Sequence, residues 1–288
     1  MATDFKPPKR TPTRLNHLQR LADEYGRAHG IAADRARRWL SIVAFAGTLE
    51  SVALTDEPRF LIKGGTSMEL RLGLRARTTK DVDVVFRGDP EMMLDALEEA
   101  FELSYGSFSF RRKGLVEEIR DTGSRRLQVQ VEFAEKPWQT LRLEVARPDA
   151  DEPELVPVAL SIADFKLESP ERVACLSLRY QIAQKLHAVT ERPDDRDNLR
   201  YWDLIDLILL RELLGGELFA VRKACEETFQ VRGKHTWPPE LDVPAGWREP
   251  YAATAAEIEA ELPEDVEDAA EEVRTLIAEI EAAVRGII

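Results

Sequence analysis

The stretch from Phe60 to Phe86 constrains this chain more than any other. An apolar run, Arg59-Phe60-Leu61-Ile62, stops at Lys63-Gly64-Gly65, and Thr66-Ser67 then opens a short helical stretch to Leu72. Paired glycines end strands because they accept backbone conformations closed to other residues. A second apolar run, Val82 to Phe86, follows with Asp81 and Asp83 at its start. Positions two apart on a strand share a face, so both carboxylates project to one side. Strand, glycine turn, helix and strand in this order predict an α/β fold carrying the two aspartates on one strand.

Two aligned carboxylates flanked by apolar residues are costly unless a cation lies between them. Mg²⁺ takes a few carboxylates together with phosphate oxygens, and such ions stabilise the attacking and leaving oxygens of phosphoryl chemistry. Bare backbone amides at Gly64 and Gly65, with the Thr66 and Ser67 hydroxyls at a helix start, let a triphosphate approach. Either hydroxyl could meet the phosphate. Taken separately, a glycine turn and an Asp-x-Asp pair are common; their order and spacing carry the signal.

Elsewhere the chain divides into two patterns. Helical spacing marks Leu15–Tyr25 and Ala32–Leu54, and Asp89-Pro90 opens a further helix from Glu91 to Phe101. Residues Ser107–Phe110, Arg126–Phe133 and Thr140–Val145 alternate as strands, with a turn at Asp121-Thr122-Gly123-Ser124. Beyond these the pattern turns helical: Leu178–Val189, Tyr201–Leu214, Glu217–Phe229 and an acidic Pro263–Ile287. The reading is an α/β (α+β) domain with a mixed sheet over residues 1–172, then a helical domain over 173–288. Glu144 lies opposite Leu141, Leu143 and Val145 in the alternation, as a solvent-facing Glu also would, and Glu132 is placed in the same way.

The net charge of −13 from 40 Lys plus Arg and 53 Asp plus Glu excludes a uniformly basic protein, but the charge is unevenly placed. Ala252–Ile288 holds eleven acids and two arginines, whereas the first forty residues hold nine cations and four acids. Further cations cluster at Arg71, Arg75, Arg77 and Lys80, and at Arg111, Arg112, Lys113, Arg120, Arg125 and Arg126. A phosphate backbone responds to local charge, so a polyanion could be held despite the total; scattered solvated arginines are the plain alternative. Two cysteines, Cys175 and Cys225, have no metal-ligand spacing and predict small buried side chains in a reducing compartment. No apolar stretch approaches the ~18 residues of a membrane span, which predicts a cytoplasmic protein.

Lys63-Gly64-Gly65-Thr66-Ser67 followed by Lys80-Asp81-Val82-Asp83 resembles the signature of the nucleotidyltransferase fold, in particular the AbiEii/AbiGii-type toxins and their MenT-like subgroup. A second matching segment runs from Gln181 through Lys185 and His187 to Thr190, then Arg196-Asp197 and Asp203 to Asp206; Trp237-Pro238-Pro239 also fits. The resemblance implies transfer of a nucleoside monophosphate from an NTP, often CTP or UTP, to the 3′ acceptor end of tRNA, which blocks aminoacylation and translation. It assigns Asp81 and Asp83 to Mg²⁺ and implies a third strand carboxylate on the same metal, for which Glu144 is the candidate and Glu132 the alternative. Lys185 becomes a phosphate ligand and Asp206 an acidic active-site residue.

From the residues alone, Lys185 on an apolar helix is either a point charge for pyrophosphate or a surface lysine. His187 predicts packing or a hydrogen bond. The resemblance further implies a cognate antitoxin, kinase-like in some relatives, with Thr79 at the corresponding place. Phosphate on Thr78 or Thr79 would put roughly two negative charges beside the aspartates. Two rival readings are the same chemistry on a protein or small-molecule hydroxyl, and a non-catalytic nucleotide-binding partner.

Overall fold

The computed structural model describes residues 5–51, 57–119, 123–193 and 197–284. The expected turn residues Asp121 and Thr122, the helix ends at 52–54 and 285–287, and Arg120 and Arg196 lie outside them. The chain forms two compact units. One runs to Gly73 and resumes over Thr78–Cys175; the other joins Leu74–Arg77 to the chain from Leu176 onward.

In the first unit, helices α1 (Leu15–Ala28) and α2 (Ala33–Ser51) precede strand β1 (Phe60–Lys63), helix α3 (Gly64–Leu72) and strand β2 (Asp81–Phe86). Helix α4 (Met93–Glu102) and strands β3 (Phe108–Ile119), β4 (Ser124–Phe133), β5 (Lys136–Ala146), β6 (Pro153–Pro157) and β7 (Arg172–Leu176) follow. The strands form one seven-stranded sheet in the order β3-β4-β5-β2-β1-β7-β6. β3, β4 and β5 make an antiparallel meander, β5 runs parallel to β2, β2 antiparallel to β1, and β1 parallel to β7. The expected mixed α/β class is the observed one.

Alternation along the strands divides the sheet into two faces. Val82, Val84, Leu127, Val129, Val131, Leu141, Leu143 and Val145 are buried in one core with Trp39, Leu40, Ile42, Val43 and Phe45 of α2. Each such side chain contributes roughly 1.5–3 kcal/mol on burial, which fixes the register because a one-residue slip would expose the whole set. The opposite face of β5 carries Arg142 and Glu144, and that of β2 carries Asp81 and Asp83, none of them fully buried.

The strands are longer than the alternation predicts, and the helix expected from Glu91 begins as a 3₁₀ turn over Pro90–Met92, where Asp89 accepts from the Glu91 amide at 3.0 Å. Cys175 and Cys225 are buried and unpaired with each other, and burial pushes the Cys175 thiol up to about 11.

The second unit consists of α5 (Leu178–Thr190), α6 (Tyr201–Arg211), α7 (Leu218–Arg232), α8 (Arg248–Ala255) and α9 (Val266–Ala282). The acidic terminal segment is an amphipathic helix within this unit. Asp265 caps α9 by accepting from the Glu267 amide at 2.8 Å, and Val266, Ala269, Ala270, Val273, Leu276, Ile277 and Ile280 are buried. Its acids therefore sit on the remaining helix surface while its apolar stripe builds the core. No described helix is long and apolar enough to cross a membrane.

Candidate active site

Strand pairing sets the carboxylates out in a grid. Asp83 of β2 lies between its register partners Lys63 of β1 and Glu144 of β5, and Asp81 lies beside Arg142 of β5. One strand further, Arg126 of β4 is the partner of Glu144. Opposite charges side by side stabilise a sheet modestly, whereas Asp83 beside Glu144 is a like-charge pair that favours a cation. The opposite-charge neighbours are in contact: Arg142 donates from Nε to Asp81 Oδ1, and Arg126 donates to Glu144 Oε2 at 2.9 Å.

The glycine turn packs directly onto this grid. Gly64 has φ +60°, and a Cβ placed there would overlap the Asp83 carboxylate. A Cβ on Gly65 would come within 2.8 Å of Cβ of Thr79. Glycine at both positions thus lets the start of α3 lie against Asp83 and Thr79.

Thr66 and Ser67 are fully buried. The Thr66 hydroxyl donates to the Asp81 carbonyl at 3.0 Å, and Ser67 accepts from Arg71 Nε at 3.4 Å. The same Asp81 carbonyl accepts from Thr79 Oγ1 at 3.3 Å and from the Arg38 guanidinium at 3.2 Å. Three donors from separate elements therefore fix the backbone of the Asp-x-Asp strand where it begins. Thr79 is buried by these contacts, while Thr78 is exposed.

Arg38 was not distinguishable in the sequence from the other N-terminal cations. It is buried on α2; desolvation pushes its guanidinium pKa down, while Glu69, Asp81, Asp34 and Asp83 pull the other way.

Asp81, Asp83 and Glu144 are hard oxygen donors on one sheet face, which is the chemistry Mg²⁺ selects. Among the described residues no three His, Cys, Asp or Glu side chains converge as they would around a metal. Convergence on one ion therefore needs side-chain rotation that releases Asp81 from Arg142 and Glu144 from Arg126. Glu132 is instead paired with Arg111 at 2.9 Å.

The second unit holds Lys185 and Asp206 in a buried ion network. Lys185 Nζ donates to Asp203 Oδ1 at 2.9 Å and to Asp206 Oδ2 at 2.5 Å, and Arg77 donates to both Asp206 oxygens at 3.0–3.2 Å. Burial alone would lower the pKa of Lys185, but Asp203 and Asp206 outweigh it and raise the value. Burial would raise Asp206, yet Lys185 and Arg77 hold it below the ordinary carboxylate range. Lys185 is thus neither a surface lysine nor an isolated point charge. Arg77 was read in the sequence only as one member of a basic cluster; the buried partner that defines it is distant in the chain. His187 packs edge-on against Phe229 with ring centroids 4.9 Å apart.

The sheet order, the strand carboxylates and the glycine turn define a protein of the nucleotidyltransferase fold. MenT4, a nucleotidyltransferase toxin of Mycobacterium tuberculosis H37Rv, shares it at 19% identity and a TM-score of 0.62, covering 92% of this chain and 90% of that one. JHP933 of Helicobacter pylori aligns at 14% identity with a TM-score of 0.44 over 84% of this chain and 89% of its own. An antigenic nucleotidyltransferase-like protein of Paracoccidioides brasiliensis aligns at 17% and 0.42 over 67% and 88%. No protein of curated function matches in sequence. Residues 48–275 match the nucleotidyl transferase AbiEii toxin family of type IV toxin–antitoxin systems, and the chain belongs to that family. It is a nucleotidyltransferase toxin, for which the family implies an NTP substrate and an antitoxin partner.

Proposed function

We propose that the protein transfers a nucleoside monophosphate from an NTP, CTP or UTP, to the 3′ end of tRNA and so stops aminoacylation and translation. The observation that carries the reading is the register of Asp81, Asp83 and Glu144 beside a glycine turn that touches Asp83. In the reaction the tRNA 3′-hydroxyl gives up its proton to solvent, its oxygen forms a bond to the α-phosphorus, the bond from that phosphorus to the bridging oxygen breaks, and pyrophosphate leaves with the bonding electrons. Asp81, Asp83 and Glu144 would hold Mg²⁺, which when bound supplies charge neutralisation at the phosphates and acidifies the attacking hydroxyl.

The chain's own contribution is positioning. Thr66, Thr79 and Arg38 hold the Asp81 backbone, and the start of α3 at Gly64 and Gly65 offers amides and a positive helix end to the triphosphate, with Lys63 adjacent. For Lys185 to meet a phosphate it exchanges one of its two aspartates for that phosphate, while Asp206 stays ionised through Arg77.

Incubation of the protein with each radiolabelled NTP, Mg²⁺ and total tRNA, total protein or an aminoglycoside tests the acceptor directly. Label entering tRNA supports the reading; label entering only protein or the small molecule replaces it with the same chemistry on another hydroxyl. Phosphorylation of Thr79 by a kinase-like antitoxin would remove the hydroxyl that donates to Asp81 and force the buried threonine out beside Gly65. Full inhibition by the antitoxin with an unchanged intact mass would rule this switch out.

A further inference from the structure

The arginines of the first unit fall into two kinds. Arg71 is almost fully buried and forms a two-pronged pair with Glu154 at 2.7 and 3.0 Å, a contact that holds α3 to β6. Arg142 and Arg126 differ. Their side chains are 50% and 41% exposed, and their partners Asp81 and Glu144 are 38% and 27% exposed. Pairs in such surroundings contribute little and are readily exchanged. Yet both occupy carboxylate oxygens that a divalent cation would need.

We propose that Arg142 and Arg126 are exchangeable counterions: they neutralise Asp81 and Glu144 until a divalent cation arrives, and then transfer to phosphate oxygens of the substrate. The inference rests on the reading of Asp81, Asp83 and Glu144 as cation ligands.

Charge and reach together favour the exchange. Asp81, Asp83 and Glu144 face Arg142 and Arg126 on adjacent strands, so the group is close to neutral without ligand. A cation that takes the carboxylates leaves two guanidiniums anchored to β5 and β4, of which Arg126 keeps Glu117 of β3 as its register partner. The site then carries excess positive charge, and planar guanidinium groups match phosphate oxygens in a two-pronged geometry. Cation and nucleotide thereby favour each other's binding, and the coupling is reciprocal. Neither ligand alone is held well: the bare cation competes with the arginines, and the bare nucleotide finds them engaged.

The test compares Mn²⁺ binding, followed by electron paramagnetic resonance, with binding of an α,β-methylene CTP analogue in saturating Mg²⁺. Wild type is measured beside Arg142→Gln, Arg126→Gln and Arg111→Gln, the last removing a charge from the same face at a guanidinium paired with Glu132. The first two substitutions are expected to tighten Mn²⁺ about three- to fivefold and weaken the analogue by a similar factor, while Arg111→Gln shifts each by less than about twofold. Mn²⁺ affinity that is unchanged in Arg142→Gln and Arg126→Gln, or that moves no more than in Arg111→Gln, overturns the exchange. An Asp81→Asn, Asp83→Asn double variant that binds Mn²⁺ as wild type does overturns the cation reading itself, and the exchange with it; loss of Mn²⁺ in that variant leaves the first comparison to decide.

Discussion

Single residues at this site act through fixed geometry, which makes their substitutions informative. Gly64→Ala meets two penalties: the left-handed backbone costs a non-glycine residue about 1–2 kcal/mol, and the new methyl overlaps the Asp83 carboxylate. Gly30 has a similar φ of +67° but nothing within 4 Å of its would-be Cβ, so Gly30→Ala isolates the backbone cost. Both variants are expected to melt lower, Gly64→Ala by more than Gly30→Ala because of the added overlap, and only Gly64→Ala loses nucleotide transfer, by about 100-fold, as displacement at a reacting site does. Asp81→Asn and Asp83→Asn are each expected to lower transfer by more than about 100-fold without altering the circular dichroism. Full toxicity of Asp81→Asn in growing cells would favour the non-catalytic reading.

The Lys185 network gives a second prediction at this scale. Asp206→Asn leaves buried cations short of a carboxylate and is expected to cost about 3 kcal/mol in urea unfolding at neutral pH. The sign of the pH dependence follows from the shifts. Asp206 is depressed in the fold, so its contribution is complete above its ordinary value near ~4 and declines as pH falls toward the depressed one. Lys185 is raised, so its contribution is complete below its ordinary value of roughly 10.4 and is lost only as pH rises through the higher folded value. Wild-type stability should therefore fall on acidification below about pH 4, and Asp206→Asn should flatten that slope.

At the scale of elements, α9 shows how a charged segment can be structural. Its apolar stripe is buried in the second unit, and Arg211 and Arg222 hold Glu279 and Glu281 at 2.7 and 3.1 Å. Leu276→Ala is expected to destabilise the protein by about 3 kcal/mol, measured by urea denaturation. Reading α9 from sequence succeeded because its apolar spacing is local, as did reading β4 and β5, whose period of two also gave the face of Glu144; the same period on β2 put Asp81 and Asp83 on one face.

β7 was not legible: its run Val173–Leu176 is short and buried throughout, so it lacks alternation, and its pairing with β1 at Ile62 and Cys175 is a long-range choice. The same limit applies to side chains. Arg38, Arg77 and Arg142 carry no local mark, because what distinguishes them is the carboxylate or carbonyl that the fold brings to them from a distant segment. Conversely, Thr66 and Ser67 read as phosphate-facing from their place after the glycines, and in the structure their hydroxyls bond within the first unit.

For the whole molecule, the negative total charge is a poor guide to partners. Many of the cations that clustered in the sequence are bound to acids: Arg75 to Glu212, Arg112 to Glu98 and Arg111 to Glu132. Local surface, more than net charge, then governs any contact with a polyanion, and binding of tRNA should weaken steeply as salt rises. A filter-binding series between low and physiological salt is expected to show that slope.

The central claim concerns the acceptor, and sequencing of tRNA 3′ ends after incubation with each NTP and Mg²⁺ tests it most directly. The account predicts added nucleotides beyond the mature 3′ end, with CTP or UTP the preferred donor, and their absence with Asp81→Asn. Unextended ends with every NTP, from a preparation that labels another acceptor, would contradict it.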